Sequence, residues 1–261
     1  MGQRLSRAKA KIKLAGIPFR VPERAELGER LETVLDAVYA CFSQGWSEVD
    51  PLNNALTGEA LWLGRLLVQL LPEEPECMGL MALMLFVQSR RNARRGADGA
   101  YVRLSEQDVG LWVVDEILEA ETLLHQAGKM GRMARYQIEA AIQSVHAARH
   151  VTGETDWPSL CLLYQGLYQM TSSVVVKLNW AAALAERDDI ETGLAAMPDL
   201  AEFPALDQFQ PLHAVRADLL ARAGRIDEAL QAYGRAISLT SDDSVCRFLS
   251  QQVDRLRKTL S

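Results

Sequence analysis

The chain predicts an all-α fold, a helical array of antiparallel helix pairs, and three observations carry that expectation. Apolar residues recur at helical spacing along most of its 261 residues. Nine prolines and seventeen glycines are spread as punctuation, with no low-complexity linker separating two halves. Finally, eleven consecutive apolar or glycine residues, Cys77 to Val87, lie between an acidic, proline-bearing turn (71–76) and a basic end formed by Arg90, Arg91, Arg94 and Arg95. That run is too short to cross a bilayer, which takes about 20 apolar residues. It is expected to be a helix buried on every side at the centre of the domain, its acids and arginines placed to suit the helix dipole.

The basic opening, QRLSRAKAKIKL, reads as the fraying end of a helix broken by Gly16-Ile17-Pro18, because the residue before a proline is pushed away from helix. Leu27, Leu31, Val34, Leu35, Val38, Tyr39 and Phe42 then share one helical face, closed by Gly45 and Pro51. Thr57 is the expected cap of the next helix, which carries Leu61, Leu63, Leu67, Leu70 and Leu71 and stops before Pro72. Pro75 opens the buried helix. Gly96 to Gly99 is the strongest turn signal, and Tyr101 to Leu104 the one short alternation suggesting extended structure.

Ser105 or Asp108 is expected to cap a helix through Leu111, Val114, Leu118 and Leu124 that ends at Gly128. A further helix is expected from Met133 to His150, with Ile138, Ile142 and Val145 inward. Thr155-Asp156-Trp157-Pro158 restarts the chain as a capped helix continuing through Leu160, Tyr164 and Leu167, and Val174 to Glu186 is another. Residues 213–237 follow the tetratricopeptide pattern: small Ala217, Ala229 and Ala236 let two helices approach, Gly224 makes the turn and Tyr233 fills the gap. A fainter copy lies 36 residues upstream, where 189–194 shadows 225–230. Val245, Leu249, Val253, Leu256 and Leu260 mark a polar-faced helix that caps the array.

Cys41, Cys77, Cys161 and Cys246 are far apart, form no CxxC pair and read as reduced core residues of a cytosolic protein. The N-terminus has no apolar run of the kind a signal peptide carries. Residues 1–25 hold seven Lys/Arg against one acid; removing these from totals of 28 and 34 leaves 21 basic and 33 acidic residues. A body that acidic is a poor binder of polyanions by itself.

No nucleophile elbow, Walker lysine loop or dinucleotide fingerprint is present. His146 and His150 stand four apart, the spacing of a metal pair, but no third ligand accompanies them, and they read as surface or capping residues. The arginines at 90, 91, 94 and 95, followed by Asp98, Glu106 and Asp108, read either as a solvated helix end with local ion pairs or as a charged docking seam.

Several stretches occur together and in order: LLPEEPECMGLMALMLFVQSRRNAR, the EQD…W of Glu106, Gln107, Asp108 and Trp112, YQIEAAIQSVHA, TDWPSLCLLY, VVVKLNWAAALAE and the final repeat. They resemble the C-terminal extension of a group of extracytoplasmic-function RNA polymerase sigma factors that end in tetratricopeptide-like repeats. QRLSRAKAKI resembles the segment that follows the promoter-reading helix-turn-helix of those proteins. The resemblance implies a basic linker over 1–25 after missing sigma regions, a helical core over 26–170 and tetratricopeptide-like repeats with a capping helix over 171–261.

It further implies a cytoplasmic, bacterial, non-catalytic protein without metal or cofactor, whose array modulates promoter-directed transcription. Its partners would be the promoter-binding regions of the sigma factor or the RNA polymerase core, with DNA touched only through the missing regions and no membrane contact. The interaction seam falls on Arg90, Arg91, Arg94, Gln107, Asp108 and Trp112, with Tyr136, Gln137, Trp157 and Asn179 as further candidates. The chain departs from the family pattern at Val109 and Trp180, where arginines are usual, and at Arg135 and Ser173, where prolines are usual. Competing readings are a free-standing repeat adaptor, a ligand-sensing domain with a pocket around Trp112, Trp157 and Trp180, and a hydrolase using His146 and His150.

Overall fold

The structure, a computed structural model, describes residues 27–47, 51–97 and 99–260, together with Leu14 and Gly16. The rest of the basic segment 1–25, and Asp98 of the expected turn, lie outside the described residues. The fold is all-α, with helices packed in pairs.

The first pair is α1 (Leu27–Ser47) with α2 (Pro51–Leu70). Both outrun the expected punctuation. Gly45 lies within α1, and α2 begins at Pro51, so Thr57 is buried inside the helix and caps nothing. At the centre lies α3 (Pro75–Ser89), twelve of whose fifteen residues are buried. It needs neighbours on every side, and it has them in α2, α4 (Val114–Lys129) and α5 (Arg135–Ala147). Each fully buried Leu, Met or Phe on it contributes about 2 kcal/mol of hydrophobic stabilisation.

Two contacts fix α3 against α5. Gly79 leaves no room for a side chain, since a Cβ there would stand 2.8 Å from the backbone nitrogen of Gln137. Glu76 lends its carboxylate to the start of α5: Tyr136 and Gln137 donate their backbone N–H groups to it at 2.9 and 3.1 Å. The acidic turn therefore caps α5 rather than merely suiting the dipole of α3.

The 90–113 segment differs most from the sequence expectation. Three short 3-10 turns, Arg91–Ala93, Leu104–Glu106 and Val109–Leu111, replace an early start of α4. Asp108 caps its own turn by accepting from the Gly110 N–H at 2.8 Å, and Trp112 is extended, so α4 starts only at Val114. The suspected strand reduces to one bridge, Arg95 with Tyr101, around Gly99 in the left-handed region at φ 75°; among the described residues there is no strand. The expected 133–150 helix is interrupted at Ala148, beyond which a single turn, α6 (Arg149–Thr152), ends at Gly153.

Asp156 caps α7 (Trp157–Thr171), accepting from the Ser159 N–H at 3.0 Å, as the sequence suggests. α8 (Val174–Arg187) packs on both α7 and the short α9 (Ile190–Ala196). A Cβ on Gly193 would stand 2.4 Å from that of Ala185, and Gly193 occupies the register of Ala229 in the later copy. Both positions are close approaches. α10 (Gln210–Arg222) and α11 (Ile226–Ser238) form the second unit, with Ala217, Ala229, Tyr233 and Ala236 buried between them and Gly224 at φ 76° turning the chain. α12 (Asp243–Leu260) closes the array on α11. The four cysteines are free thiols. Among the described residues no helix is long and apolar enough to cross a membrane.

Candidate interaction site

The 90–113 segment runs from the end of α3 to the start of α4 and touches the repeats on its way. Arg90, just past α3, is 8% exposed. Its Nη2 donates to Gln143 Oε1 at 2.7 Å, whereas Nη1 is buried without a partner. Burial lowers its pKa to about 10, and the charges of Arg149 and Arg94 push the same way. It is still a cation at neutral pH.

Arg94 donates to the Trp46 carbonyl at 2.6 Å and lies 4.2 Å over the Trp46 ring. Arg149 donates to the Gln107 carbonyl at 3.1 Å and covers the Trp112 ring at 5.1 Å. Burial lowers the pKa of both arginines. Among the described residues none of the three has a carboxylate within ion-pair distance. The local ion pairs expected with Glu106 and Asp108 are not formed. Of the three only Arg90 is buried, and a buried charge without a counter-charge costs on the order of several kcal/mol, so the unmatched charge centres on Arg90.

The expected seam residues thus divide. Arg90, Gln107 and Trp112 are buried and Arg94 is half-buried against Trp46; Gln107 Oε1 and Trp112 Nε1 are also buried without partners among the described residues. Arg91 turns outward and pairs with Glu116 at 2.5 Å, and Asp108 is exposed. Tyr136 and Gln137 belong to the opposite end of α3; Tyr136 donates its hydroxyl to Asp36 at 2.5 Å, and Gln137 donates its amide to the Arg132 carbonyl at 2.7 Å. Arg135, where the resemblance would have a proline, pairs with Glu139 at 2.7 Å and Asp36 at 3.1 Å. The ten residues do not form one surface.

Trp157 and Asn179 line a cavity of about 380 Å³ between α5, α7 and α8 on one side and α10 and α12 on the other. The segment 101–103 forms part of its wall and fastens it. Arg103 pairs with Asp218 at 2.7 Å and lies 4.9 Å over Phe248, while Tyr101 meets the same ring edge-on at 5.7 Å. Arg222 pairs with Glu186 and approaches Asp218 at 3.6 Å. His146 sits edge-on to Trp157 at 6.2 Å; burial, then the charges of Arg90 and Arg149, lower its pKa to about 4. It is a neutral imidazole at pH 7.

His150 does not join it as a metal pair. Its Nδ1 lies 2.8 Å from the Ala147 carbonyl, and among the described residues no group of three His, Cys, Asp or Glu could hold an ion. Nor do the three tryptophans share a pocket: Trp157 lines the cavity, Trp112 lies under Arg149, and Trp180 packs on Tyr168 at 6.1 Å. Sequence reasoning missed Arg149, Arg103, Tyr101, Tyr164 and Asp218. The Arg103–Asp218 pair spans 115 residues and leaves no local pattern.

Against this geometry stand the likenesses to known proteins. Residues 30–128, from α1 to near the end of α4, match a family described as "Family of unknown function (DUF6596)". The match stops short of the repeats. An uncharacterized protein of Rhizobium meliloti (strain 1021), R00370, is 40% identical over 259 residues, 98% of this chain and 61% of that protein. The chain therefore spans about three-fifths of the length of this curated relative. No solved structure matches this chain.

Proposed function

We propose that this chain is a non-catalytic regulatory and protein-interaction module of an RNA polymerase sigma factor, acting in the cytoplasm on the promoter-binding regions or the polymerase core. The observation that carries the reading is the 90–113 segment. It holds the EQD…W residues on which the resemblance rests, and it ties the helical core to the repeats through Arg103 and Asp218. That contact offers a partner bound to one half a physical connection to the other, which a regulatory module requires. The R. meliloti relative has two-fifths of its length outside the match, room enough for promoter-binding regions.

Arg91 is the exposed seam arginine, since Arg90 is buried against Gln143 and Arg94 is held by Trp46. In a reporter driven by the sigma-dependent promoter, Arg91→Glu is expected to lower transcript several-fold while the thermal melting of the purified chain is unchanged. Unchanged transcript sinks the seam. Immunoblotting of native cells separates the adaptor reading: a band well above 29.0 kDa supports a sigma-borne module, and one near 29.0 kDa a free-standing adaptor.

A further inference from the structure

We propose that the cavity between α5, α7 and α8 and the repeat helices α10 and α12 binds an uncharged planar lactam or carboxamide built on one or two aromatic rings. The inference is independent of the sigma-factor reading, because it concerns a ligand that the isolated chain would bind.

Volume and rings set the body of the guest. About 380 Å³ is near the lower end of small-molecule cavities, which run from about 300 to 1,000 Å³. Trp157 and Tyr164 of α7 and His146 of α5 line it from the core side. Tyr101 and Phe248 line it from the other, edge-on to each other at 5.7 Å. The lining also includes the small side chains of Ala182, Ala183 and Ala214. Aromatic rings bordering a cavity on two sides favour a planar guest, which can meet them stacked or edge-on.

Charge sets the second limit. Four ionic side chains line the cavity, two of each sign, and all four are engaged. Arg103 pairs with Asp218 at 2.7 Å, while Arg222 pairs with Glu186 and approaches Asp218 at 3.6 Å. The lining therefore carries no net charge. A charged guest would leave water for walls that hold no spare counter-charge, a desolvation cost that an uncharged guest avoids.

Open hydrogen-bonding capacity sets the polar group. The Asn179 amide, the Tyr101 and Tyr164 hydroxyls and the His146 ring all line the cavity and have no hydrogen-bond partner among the described residues. Each of the four can both donate and accept. Burial, then the charges of Arg90 and Arg149, lower the His146 pKa to about 4, so at pH 7 its imidazole carries one N–H and one bare nitrogen. Burial raises the Tyr164 pKa to about 12 and keeps its phenol proton in place. Such a set is matched by one group that offers an N–H and a carbonyl side by side without charge, as a lactam or carboxamide does. A carboxylate would only accept and an ammonium would only donate.

The test is calorimetric titration of the full 261-residue chain at neutral pH with the lactam isoquinolone, its N-methyl derivative, 1-naphthoate and 1-naphthylmethylammonium. Isoquinolone is expected to fill one saturable site with a Kd of about 1 mM or tighter. The N-methyl derivative, which lacks the donor, should bind about threefold more weakly or worse. Both ions should bind at least about tenfold more weakly. Asn179→Leu and Tyr164→Phe should each weaken isoquinolone about three- to tenfold, with thermal melting unaltered, because neither polar group is bonded to another described residue. Absence of saturable heat, binding of either ion or of the N-methyl derivative as tight as that of isoquinolone, or unaltered binding in both variants overturns the proposal.

Discussion

The core built on α3 and the repeats built on α10 and α11 differ in the balance of what they bury. Around α3 the buried residues are long and apolar, with Leu80, Met81, Leu83, Met84, Leu85 and Phe86 enclosed together. In the repeats the buried contacts include Ala217, Ala229, Ala236 and the close approach at Gly193, while charges pair on the surface, as Arg225 does with Glu228 at 2.7 Å. Unmatched polarity collects in the 90–113 segment, whose Trp112 packs into the α3 core. Of the four buried side-chain polar atoms without partners among the described residues, Arg90 Nη1, Gln107 Oε1 and Trp112 Nε1 belong to the 90–113 segment. The fourth, Trp180 Nε1, lies on α8.

The largest effect is expected in the core. Phe86→Ala removes a fully buried ring from α3 and should cost about 3–5 kcal/mol, read as a lower midpoint in urea unfolding. A loss below about 1 kcal/mol, the scale of ordinary surface changes, would mean α3 is not the centre of the fold.

Acid probes the joint. His146 has its folded pKa lowered from 6.5 to about 4, so the unfolded chain binds its proton more readily. Its contribution is therefore complete above about pH 6.5 and is lost as pH falls towards about 4, on the order of 3 kcal/mol in all. Melting temperature followed across that window should fall in the parent and fall less in His146→Phe. Equal slopes would remove His146 from the account.

Arg90→Ala sharpens the contrast between the two kinds of arginine. It should cost about 2 kcal/mol, because lost packing and the lost bond to Gln143 outweigh relief of an unmatched charge. Arg225→Ala, at an exposed pair on the repeats, should leave the urea midpoint where it is. If the two variants behave alike, the distinction between joint and surface arginines fails.

Legibility in the sequence follows the same division. The α3 run, the Asp156 cap and the repeat with Ala217, Gly224 and Tyr233 are local patterns, and each is found where the residues place it. The 90–113 segment is not legible in that way. Its Asp108 satisfies a three-residue turn instead of a helix, and its arginines are fixed by residues about 50 positions away, such as Trp46 and Gln143. The cavity is less legible still, because His146, Asn179, Asp218 and Phe248 come from four helices that only tertiary packing brings together.

If the array regulates transcription through a sigma factor, as proposed, in-frame deletion of the codons for residues 27–260 changes a defined set of promoters several-fold in genome-wide transcript counts while the rest hold steady. A transcript profile identical to that of the parent strain, under conditions where the intact protein is detected by immunoblot, would contradict it.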